Sequence, residues 1–288
     1  MRWTPGGTSD DIEDRRDDEG GGGGGGFGGF RLGLGGMLVL GVLSLVFKTD
    51  LISPFLGLNR GGSPAVSRRA PDAARTKSEQ KLVEFVSFVL DDNQKTWAQT
   101  LSAEGKTYRK ARLVLFRDSV ESACGMAESA TGPFYCPGDS RVYIDLGFYD
   151  ELRTRFGAPG EFAQAYVISH EIGHHIQNLL GIEAQVRSAQ RRNPAARNAL
   201  SVKMELQADC FAGIWGHSTN ERGILEQGDV ESGLGAAAAV GDDRLQKAAT
   251  GHVSPESFTH GTSAQRMDWF QRGYNSGKLS ACNTFARD

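Results

Sequence analysis

A glutamate between two histidines that lie four residues apart is the feature that most constrains this chain. His170, Glu171 and His174 belong to a stretch from 161 to 180 in which apolar residues recur every three or four positions, as in a helix with one buried face. Side chains four residues apart on a helix lie roughly 6 Å apart, so both imidazoles can reach one Zn²⁺ at about 2.0–2.1 Å. The spacing therefore predicts a helix that presents two metal ligands.

Glu171 points about 100° around this helix from the first histidine. It can there accept a proton from a metal-activated water, and Gly173, which has no side chain, lets another segment approach the helix closely. An H-E-x-x-H pattern should arise by chance in fewer than roughly one such chain in a hundred. The pattern predicts a catalytic zinc site, with two purely structural histidines as the alternative.

A catalytic zinc needs a third protein ligand and an open position for water. The extended metzincin pattern is excluded, because Gln177 and Leu180 stand where it has Gly and His. Glu205 is the better candidate ligand. Asp209, four residues later on the same predicted helix face, can accept the Nδ1–H of a ligand histidine. An exposed acidic helix face is the alternative.

The remaining histidines are less constrained by their context. His260 precedes the last predicted helix, where it can donate a hydrogen bond to a tetrahedral intermediate, or instead cap the helix or pack in the core. His175 adjoins the motif but points elsewhere on the helix, which predicts a structural role. His217 and His252 have no supporting pattern.

The four cysteines predict two disulfides. None lies in a C-x-x-C pair, which argues against a structural zinc ribbon, and an even number without metal spacing is typical of an oxidising compartment. Local spacing and exclusion favour the pairs Cys124–Cys136 and Cys210–Cys282. Four free thiols in a cytosolic protein are the alternative.

The N-terminal part of the chain predicts a membrane anchor. Residues 1–30 are acidic and then almost pure glycine, which predicts a disordered tail. The uncharged apolar run at 32–47 makes about 24 Å of helix, and flanking apolar residues extend it towards the roughly 30 Å of a bilayer core. We therefore predict a transmembrane anchor over 31–52. A buried core helix and a cleaved signal peptide are the alternatives, and the acids before the run disfavour the second.

The rest of the chain predicts one α+β domain. Residues 53–77, with several prolines, predict a linker, and residues 78–288 a folded domain whose first helix has Ser78 as its N-cap. Strands are predicted at 111–116 and 141–146, and helices at 161–180, 199–215 and 263–272. Short strands between helices favour an α+β fold. The strand at 141–146 is expected to offer its edge to an extended substrate.

The net charge and the predicted membrane topology limit the possible partners. The net charge of −3, without a basic stripe, argues against nucleic acid. Arg31 beside the apolar run favours a cytoplasmic N-terminus, and the cysteines, which all follow the run, favour an extracytoplasmic domain. We expect a single-pass protein of the inner membrane, with the lipid bilayer and a peptide or protein substrate as partners. The sequence does not determine the oligomeric state.

Several segments together resemble the bacterial family of "putative neutral zinc metallopeptidases". The resemblance covers essentially the whole chain: the opening MRW (1–3) with DRR (14–16), the Gly-rich stretch, the apolar span and four further motifs. These are GPFYCP (132–137), HEIGHHIQNLLG (170–181), ELQADCFAG (205–213) and HGTSAQR (260–266). The resemblance implies a single-pass membrane protein with a zinc peptidase domain. The ExxxD pairing is also similar to the gluzincins, zincin-like peptidases in which a glutamate is the third zinc ligand.

The predicted reaction is the hydrolysis of peptide bonds, as by an endopeptidase. Zinc held by His170, His174 and Glu205 would lower the pKa of its water towards about 7. Glu171 would act as general base and His260 as a donor to the oxyanion. Two alternatives stay open: a catalytically silent, membrane-tethered zinc-binding module, and a zinc hydrolase that cuts non-peptide amides such as cell-wall crosslinks.

Overall fold

Short strands form a four-stranded sheet and a separate hairpin. The computed structural model describes residues 1–18, 73–129 and 132–286. The strands in these ranges are β1 (Ile12–Asp14), β2 (Arg112–Phe116), β3 (Ser119–Ser122), β4 (Gly125–Glu128), β5 (Phe134–Cys136) and β6 (Arg141–Asp145). The sheet has the order β1-β2-β6-β5, in which β1 and β6 run parallel to β2, and β5 runs antiparallel to β6. β3 and β4 pair as an antiparallel hairpin.

Helices make up most of the described residues and surround the helix with the H-E-x-x-H motif. They are α1 (Ala73–Ala103), α2 (Gly147–Thr154), α3 (Glu161–Leu179), α4 (Ile182–Arg192), α5 (Arg197–Glu221), α6 (Asp229–Ala239), α7 (Asp242–Thr250) and α8 (Ser263–Ser276). α3 contacts α1, α5, α6 and β5. Its predicted core face is buried at Phe162, Ala165, Ser169, Ile172 and Ile176. The predicted α+β class is confirmed.

Helices α5 and α8 pack closely because glycines lie where they cross. A Cβ at Gly213 would collide with the carbonyl oxygen of Phe270, and a Cβ at Gly273 would collide with that of Cys210. The two backbones therefore touch without intervening side chains. This contact fixes the position of α5, which bears two of the predicted site residues.

Both disulfides have the predicted pairing. Cys124–Cys136 joins the turn between β3 and β4 to the end of β5. Cys210–Cys282 joins α5 to the short 3₁₀ turn near the C-terminus. The first bond therefore restrains the outer strand of the sheet, and the second restrains the helix that crosses α3.

Some predicted boundaries were wrong. α1 begins at Ala73, so Ser78 lies inside the helix rather than at its N-cap. The Ala, Arg and Lys residues at 73–77 are strong helix formers and no breaker follows them, so the helix starts earlier than predicted. α5 begins two residues before 199 and continues past 215 to Glu221. Its Gly216 lies in tight contact with α8 rather than ending the helix.

The predicted disordered tail is wrong for residues 1–18. β1 pairs with β2 from Ile12 opposite Leu113 onwards, and the Trp3 ring packs edge-on against Phe85. The few apolar residues of this acidic segment find their partners in the distant domain, which local composition does not reveal. The predicted anchor at 31–52, and the linker up to residue 72, lie outside the described residues. In the ranges that are described, we find no helix with the length and apolar character needed to cross a membrane.

β6 is an inner strand, so its predicted role as a free substrate-binding edge is wrong. It pairs with β2 on one side and with β5 on the other. β5 forms the edge instead. This strand has only three residues, too few for a strand pattern to stand out in the sequence.

Gly273→Ala should destabilise the protein. The new methyl group would collide with the Cys210 carbonyl, which belongs to the backbone and cannot rotate away, so we expect a loss of about 1–3 kcal/mol in the free energy of unfolding. Gly235→Ala is the matched control, because Gly235 is exposed on α6 and a Cβ there meets nothing within 4 Å. It should stabilise by about 0.4–1 kcal/mol. Denaturant unfolding measures both, and equal stabilities would contradict the close helix crossing.

Candidate metal centre

Three side chains from two helices converge at the predicted metal site. His170 and His174 come from α3 and Glu205 from α5, and one ligand atom of each lies within 4.8 Å of the others. His170 Nε2 is 3.1 Å from Glu205 Oε2, and His174 Nε2 is 3.5 Å from Glu205 Oε1. Two imidazole nitrogens and one carboxylate oxygen are the donor set of many catalytic zinc sites. The residues present therefore fit zinc.

Gly173 lets α5 come close enough to supply the third ligand. A Cβ at this position would lie 2.9 Å from the carbonyl oxygen and 3.0 Å from the Cα of Ala208. Ala208 is in α5 between Glu205 and Asp209. The contact that excludes a side chain at Gly173 therefore also brings both carboxylates towards the histidines.

The second ring nitrogen of each ligand histidine already has a partner. His170 Nδ1 is 2.9 Å from Asp209 Oδ1, so Asp209 lies where the sequence analysis predicted a partner for a ligand histidine. His174 Nδ1 is 2.8 Å from Gln177 Oε1, and the Gln177 amide donates to the Met204 carbonyl of α5 at 2.7 Å. With both Nδ1 atoms occupied, Nε2 of each ring is left to face Glu205. Such partners fix the orientation of ligand histidines.

A buried arginine holds Asp209 in place. Arg266 of α8 donates to Asp209 through Nε at 2.8 Å and through Nη2 at 2.9 Å. The same Nη2 donates to the Tyr166 hydroxyl at 3.1 Å, and that hydroxyl donates to Asp209. All three side chains are buried. Two parallel N–H···O bonds give geometric specificity as well as energy, so Asp209 is a rigid support for His170.

The charges around the site favour a cation. Burial alone would lower the pKa of His170, but Asp209 and Glu205 outweigh it and raise the pKa to about 10. Burial would raise the pKa of Glu205, yet His174 and His170 hold it well below its usual value. Negative charges that stabilise a protonated imidazole also stabilise a metal ion, so the electrostatics agree with the donor set.

Glu171 lies next to the ligands and is almost completely buried. Burial, with a contribution from Glu205, raises the pKa of its carboxyl group to about 7, against the opposing effect of His170. A general base works best when its pKa is near the working pH. Glu171 is therefore suited to take and return a proton at neutral pH.

His260 is held by Asp242, the first residue of α7. Its Nδ1 is 3.0 Å from Asp242 Oδ1, while Asp242 Oδ2 accepts hydrogen bonds from the backbone N–H groups of Thr259, His260 and Gly261. The His260 side chain is 49% exposed, so partial desolvation lowers its pKa, but Asp242 and Glu205 outweigh this effect and raise that pKa. The carboxylate therefore fixes the loop, orients the ring and favours its protonated form.

A cleft of about 1070 Å³ opens over these residues. Residues of β5 and its preceding turn line one part, and residues of α4, α5 and α7 line others. Its wall contains several apolar side chains, namely Phe134, Phe148, Phe156, Val167 and Leu245. A cleft of this size can receive several residues of an extended chain.

The other histidines take no part in the cluster. His175 is buried, with Nε2 2.7 Å from the Arg109 carbonyl and Nδ1 3.1 Å from the Tyr135 hydroxyl, so its role is structural. His217 Nδ1 lies 2.7 Å from the Tyr274 carbonyl oxygen. His252 is exposed at the cleft wall.

Four supporting residues were missed by sequence reasoning. Tyr166 and Gln177 each lie about one helical turn from a ligand histidine, so helical spacing could have indicated them. Arg266 is 57 residues from Asp209, and Asp242 is 18 residues from His260. No local pattern connects either pair, because the contacts form only when separate helices pack.

The fold and the site define a candidate metal centre, in which two histidines of α3 and a glutamate of α5 could hold a metal ion. The family described as "Putative neutral zinc metallopeptidase" matches residues 1–285, and the chain belongs to this family. It is 47% identical to protein YpfJ of Escherichia coli K12 over 293 residues, covering 100% of this chain and 99% of YpfJ. It is also 44% identical to Mycobacterium tuberculosis Rv2575 over 190 residues. This matched region covers 62% of this chain and 64% of Rv2575. No solved structure matches the chain.

Glu205→Ala and Asp209→Ala should separate metal binding from stability. Glu205→Ala removes a ligand, so zinc content after dialysis should fall furthest in this variant. Asp209→Ala leaves the buried Arg266 without its partner, which should cost about 3–5 kcal/mol of unfolding free energy. It should lower zinc affinity by only about 10–100-fold, because a supporting group is lost and not a ligand.

A double variant supplies the control. Adding Arg266→Met to Asp209→Ala removes the unpaired charge and should restore part of the stability without restoring zinc affinity. Denaturant unfolding and metal analysis measure the two effects separately. Full zinc occupancy in Glu205→Ala would show that another residue is the third ligand, with Asp209 and then Glu183 the next candidates.

Proposed function

We propose that the protein is a zinc endopeptidase that hydrolyses peptide bonds in protein or peptide substrates. The observation that supports this most directly is the convergence of His170, His174 and Glu205 beside the buried Glu171, at the base of an open cleft. Three protein ligands leave a position for water, as catalytic sites do, whereas structural zinc sites are closed by four.

The chain's own groups can move the protons of the reaction. When bound, zinc supplies a Lewis acid that lowers the pKa of a coordinated water and polarises the scissile carbonyl. Glu171 takes a proton as water adds to the carbonyl carbon, and returns it to the nitrogen as the C–N bond breaks. His260 has Nδ1 occupied by Asp242, which leaves Nε2 to donate to the developing oxyanion.

β5, rather than β6, is the strand that we propose for substrate binding. It is an outer strand of the sheet, and residues 132–135 and Pro137 line the cleft. An extended peptide can add to such an edge through main-chain hydrogen bonds, which give affinity without strong sequence preference. The backbone of Tyr135 also stabilises the ionised form of Glu171 and so offsets part of the rise in pKa that burial causes. The proposed substrate strand and the general base are therefore neighbours.

The disulfides support an extracytoplasmic location for the peptidase domain, because such bonds persist in oxidising compartments. Attachment to the inner membrane through 31–52 is proposed from the sequence alone. A single crossing with a cytoplasmic N-terminus would separate β1 from β2, so this part of the predicted topology conflicts with the strand pairing.

Glu171→Gln should keep zinc but lose hydrolysis. The amide has nearly the same shape as the carboxylate but cannot act as a base, so we expect the turnover of a casein or peptide substrate to fall about 10²–10⁴-fold. Glu104→Gln, at an exposed position just after α1, is the control and should leave turnover unchanged. Activity of Glu171→Gln within a few-fold of the parent would exclude Glu171 as the base.

The same variant can identify the substrate class. Bound, uncleaved peptides recovered with Glu171→Gln would support a peptidase. Hydrolysis of cell-wall fragments but not of proteins, measured side by side, would instead support the non-peptide amide hydrolase. A fourth protein ligand on the metal would support the silent zinc-binding module.

His260→Ala should lower kcat by about 10²–10³-fold with zinc retained, as expected for the loss of an oxyanion donor. Asp242→Asn removes the charge that raises the pKa of His260, so His260 should lose its proton at lower pH. The alkaline limb of the kcat profile should therefore shift to lower pH in this variant. An unchanged alkaline limb would show that protonated His260 is not required.

A further inference from the structure

One part of the cleft is lined by polar side chains from α4 and from the beginning of α5. These residues are Glu183, Arg187, Gln190, Asn198 and Ser201. Within each helix they recur at a spacing of three or four residues, so one face of each helix borders the cleft. The Gln190 amide links the two helices, because it donates to the Arg197 carbonyl at 3.2 Å and to Ser201 Oγ at 3.1 Å.

Three exposed arginines are neighbours of Gln190. Arg187 lies one turn before Gln190 and lines the cleft, and Arg191 is the next residue of α4 after Gln190, one turn beyond Arg187. The Arg197 backbone contacts the Gln190 amide across the short turn at 194–196. Since all three arginines are at exposed positions, they form a basic rim beside the cleft.

The basic rim has more positive charge than its own helices neutralise. Residues 184–204 contain no Asp or Glu, although the whole chain has a net charge of −3. Arg187 pairs with Glu183, but within the described ranges Arg191 and Arg197 have no acidic partner. Two of the three charges are therefore open to an anionic ligand.

The surface around the basic rim suits a polar ligand better than a lipid bilayer. Helices that lie on membranes combine basic residues with apolar side chains such as Trp, Phe or Leu that enter the bilayer. Among the described residues, Met126 in the β3–β4 hairpin is the one exposed large hydrophobic side chain. The exposed apolar positions next to the rim include only small residues such as Ala184 and Ala195. An acidic chain that reaches the rim along the cleft is the ligand that these features favour.

We propose that Arg191 and Arg197, with Arg187, form a subsite for an acidic side chain of the substrate. The preferred substrates are then extended peptide segments with Asp or Glu near the cleaved bond, and this part of the inference rests on the proposed peptidase function. From Glu205 back to Asn198 is two turns of α5, about 10 Å along its axis. An extended chain covers this distance in about three residues. The acidic residue is therefore expected about three or four residues from the cleaved bond.

Peptide binding tests the subsite without hydrolysis. The probes are a neutral peptide long enough to span the cleft and its variants with Glu or Lys at each position in turn. With the zinc-loaded Glu171→Gln protein at low salt, Glu at one position should tighten binding about 3–10-fold and Lys should weaken it, as exposed ion pairs do. Salt should reduce the difference, because it screens exposed charges. Fluorescence anisotropy measures each Kd.

Variants of the arginines identify the groups that cause this preference. Arg191→Gln with Arg197→Gln should abolish the preference for Glu. Arg192→Gln is the matched control, because Arg192 is the neighbouring exposed arginine of α4 and its guanidinium is bound to Ser188 Oγ at 2.7 Å. This variant should keep the preference. Arg191→Glu with Arg197→Glu should reverse it in favour of Lys, which loss of folding would not do. An unchanged preference in the first variant, or no reversal in the last, would overturn the subsite.

Glu256 offers a test with the opposite sign. It is exposed and lines the cleft, and the Asn198 amide of α5 donates to its backbone carbonyl at 3.1 Å. Its carboxylate therefore lies near the basic rim and repels an acidic ligand. Glu256→Gln should increase the preference for Glu over Lys, and a decrease would contradict the proposed position of the acidic side chain.

Hydrolysis and lipid binding separate the subsite from the proposed function. Cleaved peptides with Asp or Glu enriched about three or four residues from the cut would support the subsite. Cleavage without such enrichment would overturn it and leave the peptidase intact. No cleavage of any peptide, with the binding preference retained, would contradict the peptidase and support the subsite as a binding site. Sedimentation with phosphatidylglycerol vesicles that is lost in Arg191→Gln/Arg197→Gln, without any preference among peptides, would overturn the subsite and indicate a lipid surface.

Discussion

The contact between α3 and α5 at Gly173 is the constraint on which the metal site depends. Two of the three candidate ligands are close because of helical periodicity alone, but the third comes from another helix. Its distance from them is set by how closely the two backbones approach. Metal ligands must lie within about 0.2 Å of their ideal distances. Even one methyl group between Gly173 and Ala208 would therefore move Glu205 away from the histidines. The glycine crossing of α5 with α8 and the Cys210–Cys282 bond hold α5 from its other side.

The buried charges behind the site serve orientation rather than stability. Removing Asp209 and Arg266 from water costs more than their attraction returns unless each also has further partners. Here the buried Asp209 has three partners: His170, Tyr166 and Arg266. A network in which every member is satisfied becomes rigid, and a partly satisfied one is costly. The imidazole of His170 is thus fixed before any metal binds, which lowers the entropy lost on binding.

Whether the sequence could predict a feature depends on how close together in the chain the residues of that feature lie. The α3 helix, its ligand spacing and the acidic pair on α5 could be predicted because each depends on residues three or four positions apart. β1 and β5 were missed because a strand of three residues has no periodicity of its own and exists only through its partner. β1 lies about a hundred residues from β2 in the chain. Arg266 and Asp242 were missed for the same reason, since their contacts arise from the packing of α8 and α7.

The two edges of the sheet have opposite roles, and this difference links the fold to the proposed chemistry. β1 covers the edge of β2, whereas the edge of β5 faces the cleft. An open edge can bind a chain in one register only if it is rigid. β5 is held at its end by the Cys124–Cys136 bond and, through the Tyr135 hydroxyl, by His175 and Asn178 of α3. Because α3 also bears Glu171, these contacts would fix the distance between a main chain bound as proposed and the proposed general base. The place of cleavage would then depend on the α3–β5 contact more than on the side chains of the substrate.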